Sequence, residues 1–312
     1  MGKYSPGPTP DETLLEGEII LKLVTYQHAG RIAIGLLRED AIVDLSAVAP
    51  DMIALIELGE TGLARVREIA ATANAVPLAN VRLLPPIHNP RRNVMCVGKN
   101  YAEHTRESYE ARGESVEAIE YPVIFTKATT CVNGPYDDIP FDAAVSDKID
   151  YEAELAVIIG RPLKNATREE ALAAVFGYTV LNDVTARDLQ TLHKQFFKGK
   201  SLDGSCPIGP CIVTAEAMPD PYAARITCHV NGELRQDSAA ETMTFDIPTI
   251  IGHLSRGMTL LAGDIIATGT PSGVGFAMKP PVFLRPDDVV ECAIEGIGSI
   301  RNRMVAAGSA RE

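Results

Sequence analysis

The sequence predicts a β-rich α+β fold, a roll or barrel rather than a doubly wound sheet. Short runs rich in Val, Ile and Thr recur along the chain, and helical periodicity is confined to a few brief stretches. Asn231-Gly232 after an apolar run is a strong two-residue hairpin signal, which fits antiparallel pairing.

Residues 1–17 are Pro-rich and acidic and are expected to be frayed. Strands are expected at 20–26, 32–37 and 41–45, with a turn at Ala29-Gly30. The span 52–72 carries Leu55, Leu58, Leu63, Val66, Ile69 and Ala70 at helical spacing, and Gly59 interrupts it. Pro85-Pro86 and Pro90 then punctuate the chain, which suggests a small N-terminal α+β domain over 18–88. Beyond it, strands are expected at 94–98, 122–127, 149–160, 176–183 and 226–230, with late strands at 264–268 and 289–294. Two short helices are expected at 168–175, opened by Thr167 as N-cap, and at 247–254.

The 312 residues carry 29 Lys+Arg against 41 Asp+Glu, a net charge of −12. With no basic surplus to displace counterions, nucleic acid and anionic membranes are not expected partners. An anionic small molecule is not excluded, because local cations or a bound metal override net charge. No 18-residue apolar run and no secretory h-region is present, so a cytoplasmic protein is expected. Six scattered cysteines with no Cys-x-x-Cys pair read as reduced and buried.

The chemically informative segment is Asp150-Tyr151-Glu152-Ala153-Glu154-Leu155. On a strand, positions i and i+2 share a face, so Glu152 and Glu154 project together while Leu155 and Val157 point away. Two like charges entering an apolar strand repel unless a cation lies between them, and Mg²⁺ with its preference for oxygen ligands suits that position. A solvated strand edge is the alternative. A third carboxylate, Asp183, ends the apolar run 176–183 and is followed by Arg187 and Gln190, an arrangement that suits a metal site or a simple N-cap. Two lures fail: Gly199-Lys200-Ser201 lacks the upstream glycine of a phosphate loop, and residues 268–275 are Gly-rich without the dinucleotide fingerprint.

These residues, with Gly98-Lys99-Asn100-Tyr101-Ala102-Glu103-His104, Gly177-Tyr178 through Asn182-Asp183, Arg187-Asp188, Gly199-Lys200-Ser201-Leu202-Asp203, Asn231-Gly232-Glu233 and Gly263-Asp264 through Thr270-Pro271, resemble the fumarylacetoacetate hydrolase family over residues 93–305. Residues 306–312 would form a tail. The resemblance implies a mixed β-sheet roll with a small N-terminal α+β domain and a homodimer. It implies Mg²⁺, or Mn²⁺ or Ca²⁺, held by Glu152, Glu154 and Asp183. It also implies that His104 is a general base oriented by Glu107, that Lys200 stabilises developing negative charge, and that Arg187, Gln190, Lys127 and Thr270 contact substrate. The family acts on 2-oxo and 2,4-dioxo acids. The first expectation is therefore a Mg²⁺-dependent C–C hydrolase of an acylpyruvate-, fumarylpyruvate- or fumarylacetoacetate-like acid, in catabolism of aromatic compounds. The second is a decarboxylase or isomerase of an oxo-diacid or hydroxymuconate using the same enolate chemistry. The polar stretch 105–118 is either a solvated helix or loop, or a mobile lid. Phe196-Phe197 stands where relatives often carry Trp, and Ala128 where Pro is common, which leaves pocket shape open.

Overall fold

A computed structural model describes residues 20–70 and 75–307; the expected frayed segment 1–17 and most of the tail lie outside them. The body is a twelve-stranded mixed sheet, a five-stranded sheet packed on it, and a two-stranded ribbon. The mixed, sheet-rich roll expected from the sequence is the fold observed.

The N-terminal strands Lys22–His28, Arg31–Arg38 and Ala41–Asp44 form a meander. Its first turn has positive φ at both Ala29 and Gly30, the twist that a two-residue hairpin requires. Asp51 accepts a hydrogen bond from Ala54 N and starts the helix Met52–Glu57. A second helix, Gly59–Ala70, follows the break at Gly59. The sheet is continuous across the proline-rich residues 85–92, because Lys22–His28 pairs antiparallel with Cys206–Thr214.

Beyond Cys206–Thr214 the sheet continues through Val175–Asn182, Ala153–Ile159, Ile265–Ala267, Val94–Gly98 and Val123–Lys127. All these pairings are antiparallel except Ile265–Ala267 with Val94–Gly98. Side chains of Ala153–Ile159 alternate between two cores. Leu155 and Val157 pack with Ile226, Cys228 and Ile294 of the five-stranded sheet. Ala156 and Ile158 pack on the opposite face with Leu23, Leu36 and Ile56. A strand buried on both faces reads as an apolar run, as residues 155–159 do after Glu154.

Two expected elements differ. The strand over 149–160 breaks at Tyr151 and Glu152. Ile149–Asp150 pairs with Thr185–Ala186 instead. Glu152 N donates to Asn182 Oδ1 and Ala153 N to Gln236 Oε1, so side chains replace ladder partners at the break. The helix over 168–175 stops at Leu172, because Val175 pairs with Ile159 and must already be extended. Its start is as expected, with Thr167 and Glu170 forming a reciprocal capping box. All six cysteines are free and buried.

Leu155 is fully buried between the two sheets. Leu155→Ala should lower unfolding free energy by about 2–5 kcal/mol in urea titration, the cost of a core cavity; a loss near zero would contradict this packing.

Candidate active site

The register Ala153↔Asn182 brings the ends of two adjacent strands together, so Glu154 and Asp183 emerge side by side. Glu152 joins them from the strand break, where its carbonyl accepts from Asp183 N. One carboxylate oxygen from each of the three lies within 4.8 Å of the others. All three side chains are buried, so their charge requires compensation.

Three buried cations provide part of it. Lys200 Nζ bridges Glu152 Oε2 at 2.6 Å and Asp183 Oδ2 at 2.7 Å. Arg187 Nη1 lies 2.7 Å from Glu152 Oε1. Lys127 Nζ lies 2.8 Å from Asp183 Oδ1. Burial alone would raise the Glu152 pKa, but the charges of Lys200 and Arg187 outweigh it and hold it at about 2. Glu154 is different. It has no cationic partner within ion-pair distance among the described residues, and Gly269 N donates to its Oε2 at 2.8 Å. Burial, then repulsion from Asp183 and Glu152, pushes its pKa well above the carboxylate range.

This donor set fits a hard divalent cation. All three ligands are oxygen, as Mg²⁺, Mn²⁺ and Ca²⁺ prefer. Glu154 has no ion-pair partner among the described residues and is left with the least compensated charge of the three, the position a cation would fill.

The second half of the site is the helix Ala102–Arg112, closed by Gly113 in the left-handed conformation. The stretch 105–118 is therefore helical to Arg112, and residues 114–120 have no regular structure. His104 Nδ1 lies 2.9 Å from Glu107 Oε1, one helical turn on. Both Glu107 oxygens also accept from Gly273 N, at 3.1 and 3.0 Å. A carboxylate can only accept, so in the neutral imidazole the proton belongs on His104 Nδ1 and the lone pair on Nε2.

The Gly-rich segment 268–276, which binds no dinucleotide by its pattern, clamps carboxylates. Its backbone N–H groups serve Glu154 through Gly269, Glu107 through Gly273, and Asp150 through Gly275 and Phe276. Gly273 has φ +105°, and a Cβ there would lie 2.0 Å from Arg235 O, so no other residue fits this approach. Asp150 in turn accepts from Arg187 Nε at 2.9 Å, fixing the guanidinium that faces Glu152.

A cleft gathers most of the residues expected from the sequence: His104, Glu152, Glu154, Arg187, Gln190, Lys200 and Thr270. Asp183 and Glu107 stand behind its wall. Lys127 departs from its expected substrate contact. It is fully buried, does not line the cleft, and its ammonium is committed to Asp183, Val184 O and Lys200 O. Thr270 lines the cleft, but its hydroxyl donates to Ala153 O and accepts from Gln236 Nε2. Sequence reasoning missed Asp150, Lys99, Ser108 and Arg112. The last two were accessible from helical spacing, since they lie four and eight residues beyond His104. Phe196 packs against Phe125 in the wall at 5.4 Å between ring centroids.

Residues 93–305 match the family described as fumarylacetoacetate (FAA) hydrolase C-terminal. The chain is 40% identical over 304 residues to the oxaloacetate tautomerase YisK of Bacillus subtilis, covering 91% of this chain and 100% of that one. It is 42% identical over 271 residues to the mitochondrial oxaloacetate tautomerase FAHD2B of Bos taurus, covering 85% and 84%. Among solved structures it resembles a fumarylacetoacetate hydrolase of Exiguobacterium antarcticum, with TM-score 0.80, 44% identity and coverage of 92% and 99%. It also resembles the maleylpyruvate hydrolase of Sphingobium sp. SYK-6 in complex with manganese and pyruvate, with TM-score 0.75, 29% identity and coverage of 92% and 99%. The chain belongs to the fumarylacetoacetate hydrolase family.

Two carboxylates pull stability in opposite directions with pH. Glu152 titrates lower in the folded chain than its ordinary 4.5, so its contribution is present above that value and is lost as pH falls toward about 2. Glu154 titrates higher, so its contribution turns against folding as pH rises through its ordinary 4.5, and the penalty grows until the folded carboxyl itself ionises. Glu154→Gln should therefore raise the melting temperature at pH 7 in chelator, while Mg²⁺ or Mn²⁺ should raise the melting temperature of wild type more than that of the variant. A variant that melts lower in chelator and gains as much from metal would refute this charge assignment. An acid titration of wild type in chelator should show the midpoint falling between pH 4.5 and about 2; in Glu152→Gln that fall should be smaller.

Proposed function

We propose that this member of the fumarylacetoacetate hydrolase family is a tautomerase, moving a proton between carbon and oxygen of a short 2-oxo diacid of the oxaloacetate kind. The first expectation from sequence, C–C hydrolysis of a 2,4-dioxo acid, gives way to the second, isomerisation of an oxo-diacid by enolate chemistry. The observation that carries the reading is the full-length match to the Bacillus oxaloacetate tautomerase, shared in kind by the bovine relative.

The site chemistry supports it. Tautomerisation needs one base, one place for negative charge, and no attacking water. His104 Nε2, oriented by the Glu107 contact on Nδ1, takes a proton from the carbon beside the keto group. The electron pair of that C–H bond becomes the C=C bond, and the carbonyl electrons move to oxygen. Lys200 and Arg187, buried and already desolvated, face that oxygen with fixed positive charge. The imidazolium then returns its proton to the oxygen, giving the enol. A divalent cation on Glu152, Glu154 and Asp183 would supply Lewis-acid charge to the 2-oxo acid. The reading includes a cytoplasmic location, supported by six free, buried cysteines, and among the described residues no helix is long and apolar enough to cross a membrane.

With Mg²⁺ or Mn²⁺ added, decay of the enol ultraviolet absorbance of oxaloacetate should accelerate. His104→Gln should lower kcat by about 10²–10⁴-fold with little change in KM. Hydrolysis is the competing reading, favoured by the likeness to a maleylpyruvate hydrolase. Release of pyruvate from an acylpyruvate with kcat/KM above that for oxaloacetate tautomerisation would restore it.

A further inference from the structure

We propose that Lys99 and Arg112 form a second anion subsite at the outer end of the cleft. It would hold the distal carboxylate of the substrate and make the enzyme selective for 2-oxo diacids over 2-oxo monoacids. The inference rests on the functional reading above and adds to it the residues that choose among 2-oxo acids.

Charge pairing divides the cleft in two. At the inner end, Lys200 and Arg187 are matched against Glu152, Asp183 and Asp150. At the outer end, Lys99 and Arg112 line the same cleft and pair with no carboxylate among the described residues. The only acids on the cleft wall are Glu152 and Glu154, both in the proposed metal set. A 2-oxo acid that places its first carboxylate and keto group at the inner end thus meets uncompensated positive charge further out.

The helix Ala102–Arg112 explains how the two ends are linked. His104, Ser108 and Arg112 follow at i, i+4 and i+8, a single stripe facing the cleft. Long helical side chains lean toward the helix N-terminus, so the Arg112 guanidinium reaches back toward His104. Phe276 gauges the distance. Its ring lies 4.3 Å from the Arg187 guanidinium carbon and 5.7 Å from that of Arg112. The two guanidiniums are therefore separated by no more than the sum of those distances, which a four-carbon diacid can bridge.

Lys99 is tied to the same helix. Its Nζ donates to Tyr109 Oη at 2.9 Å, and its carbonyl accepts from Thr105 Oγ1 at 3.0 Å. Its φ of +58° is a left-handed conformation that non-glycine residues rarely adopt. Strain of this kind at a cleft-lining cation points to a requirement for that side chain in that place.

The test compares binding of oxaloacetate and pyruvate to the full-length, Mg²⁺-loaded protein by calorimetry. Arg112 is exposed, so Arg112→Gln should fold normally; Lys99→Gln is the second variant, checked by its melting curve. Wild type should prefer oxaloacetate. Each substitution should weaken oxaloacetate about tenfold, the value of one charge-assisted hydrogen bond, and leave pyruvate affinity unchanged. In turnover the loss should fall on KM and not on kcat. Unchanged oxaloacetate affinity in both variants, or equal losses for both acids, would overturn the subsite while tautomerase activity stood. If wild type bound neither acid, the functional reading and the subsite would fall together.

Discussion

Burying like charges at the ends of two neighbouring strands is the constraint around which this molecule is organised. Glu154 and Asp183 arrive together because Ala153 is paired with Asn182, and Glu152 is drawn in by the break before that pairing. Carboxylates in such a place are tolerated only with cations and hydrogen-bond donors close by. Lys127, Lys200 and Arg187 are those cations, and with Asp150 the buried ensemble holds four acids and three bases. One carboxyl is left without a matching cation; it is Glu154, and that is why burial and its two acidic neighbours push its pKa up. A divalent cation would turn that excess negative charge into a single excess positive one, which suits an anionic substrate in a chain whose overall charge is −12.

The segment 268–276 connects this charge problem to the acid–base machinery. Four of its backbone N–H groups reach three carboxylates with separate tasks: Glu154 in the triad, Glu107 beside His104, and Asp150 behind Arg187. Backbone donors carry no side-chain entropy and no titratable group, so they fix these carboxylates without adding charge. The arrangement also requires glycine where the loop passes closest to its neighbours, as at Gly273. Movement of this loop would alter base, metal ligands and substrate cation together, which accounts for its burial under the five-stranded sheet and the helix Ala102–Arg112.

Whatever depends on local period and residue chemistry was legible along the chain. Alternation placed Glu154 on the face opposite Leu155 and Val157, helical spacing put Glu107 one turn from His104, and Thr167 capped its helix, whereas Glu152 reaches the triad from a strand break that alternation does not predict. The ordered motifs then pointed to the family and, through it, to half of the residues that line the cleft. Only the tertiary structure decided that Lys127 stands behind Asp183 instead of in the cleft, that Asp150 secures Arg187, and that Gly273 secures Glu107. Those contacts join residues 37 to 166 positions apart. Their partners are selected by how strands cross and how charges must be neutralised in a medium without water, and no periodicity along the chain encodes that choice.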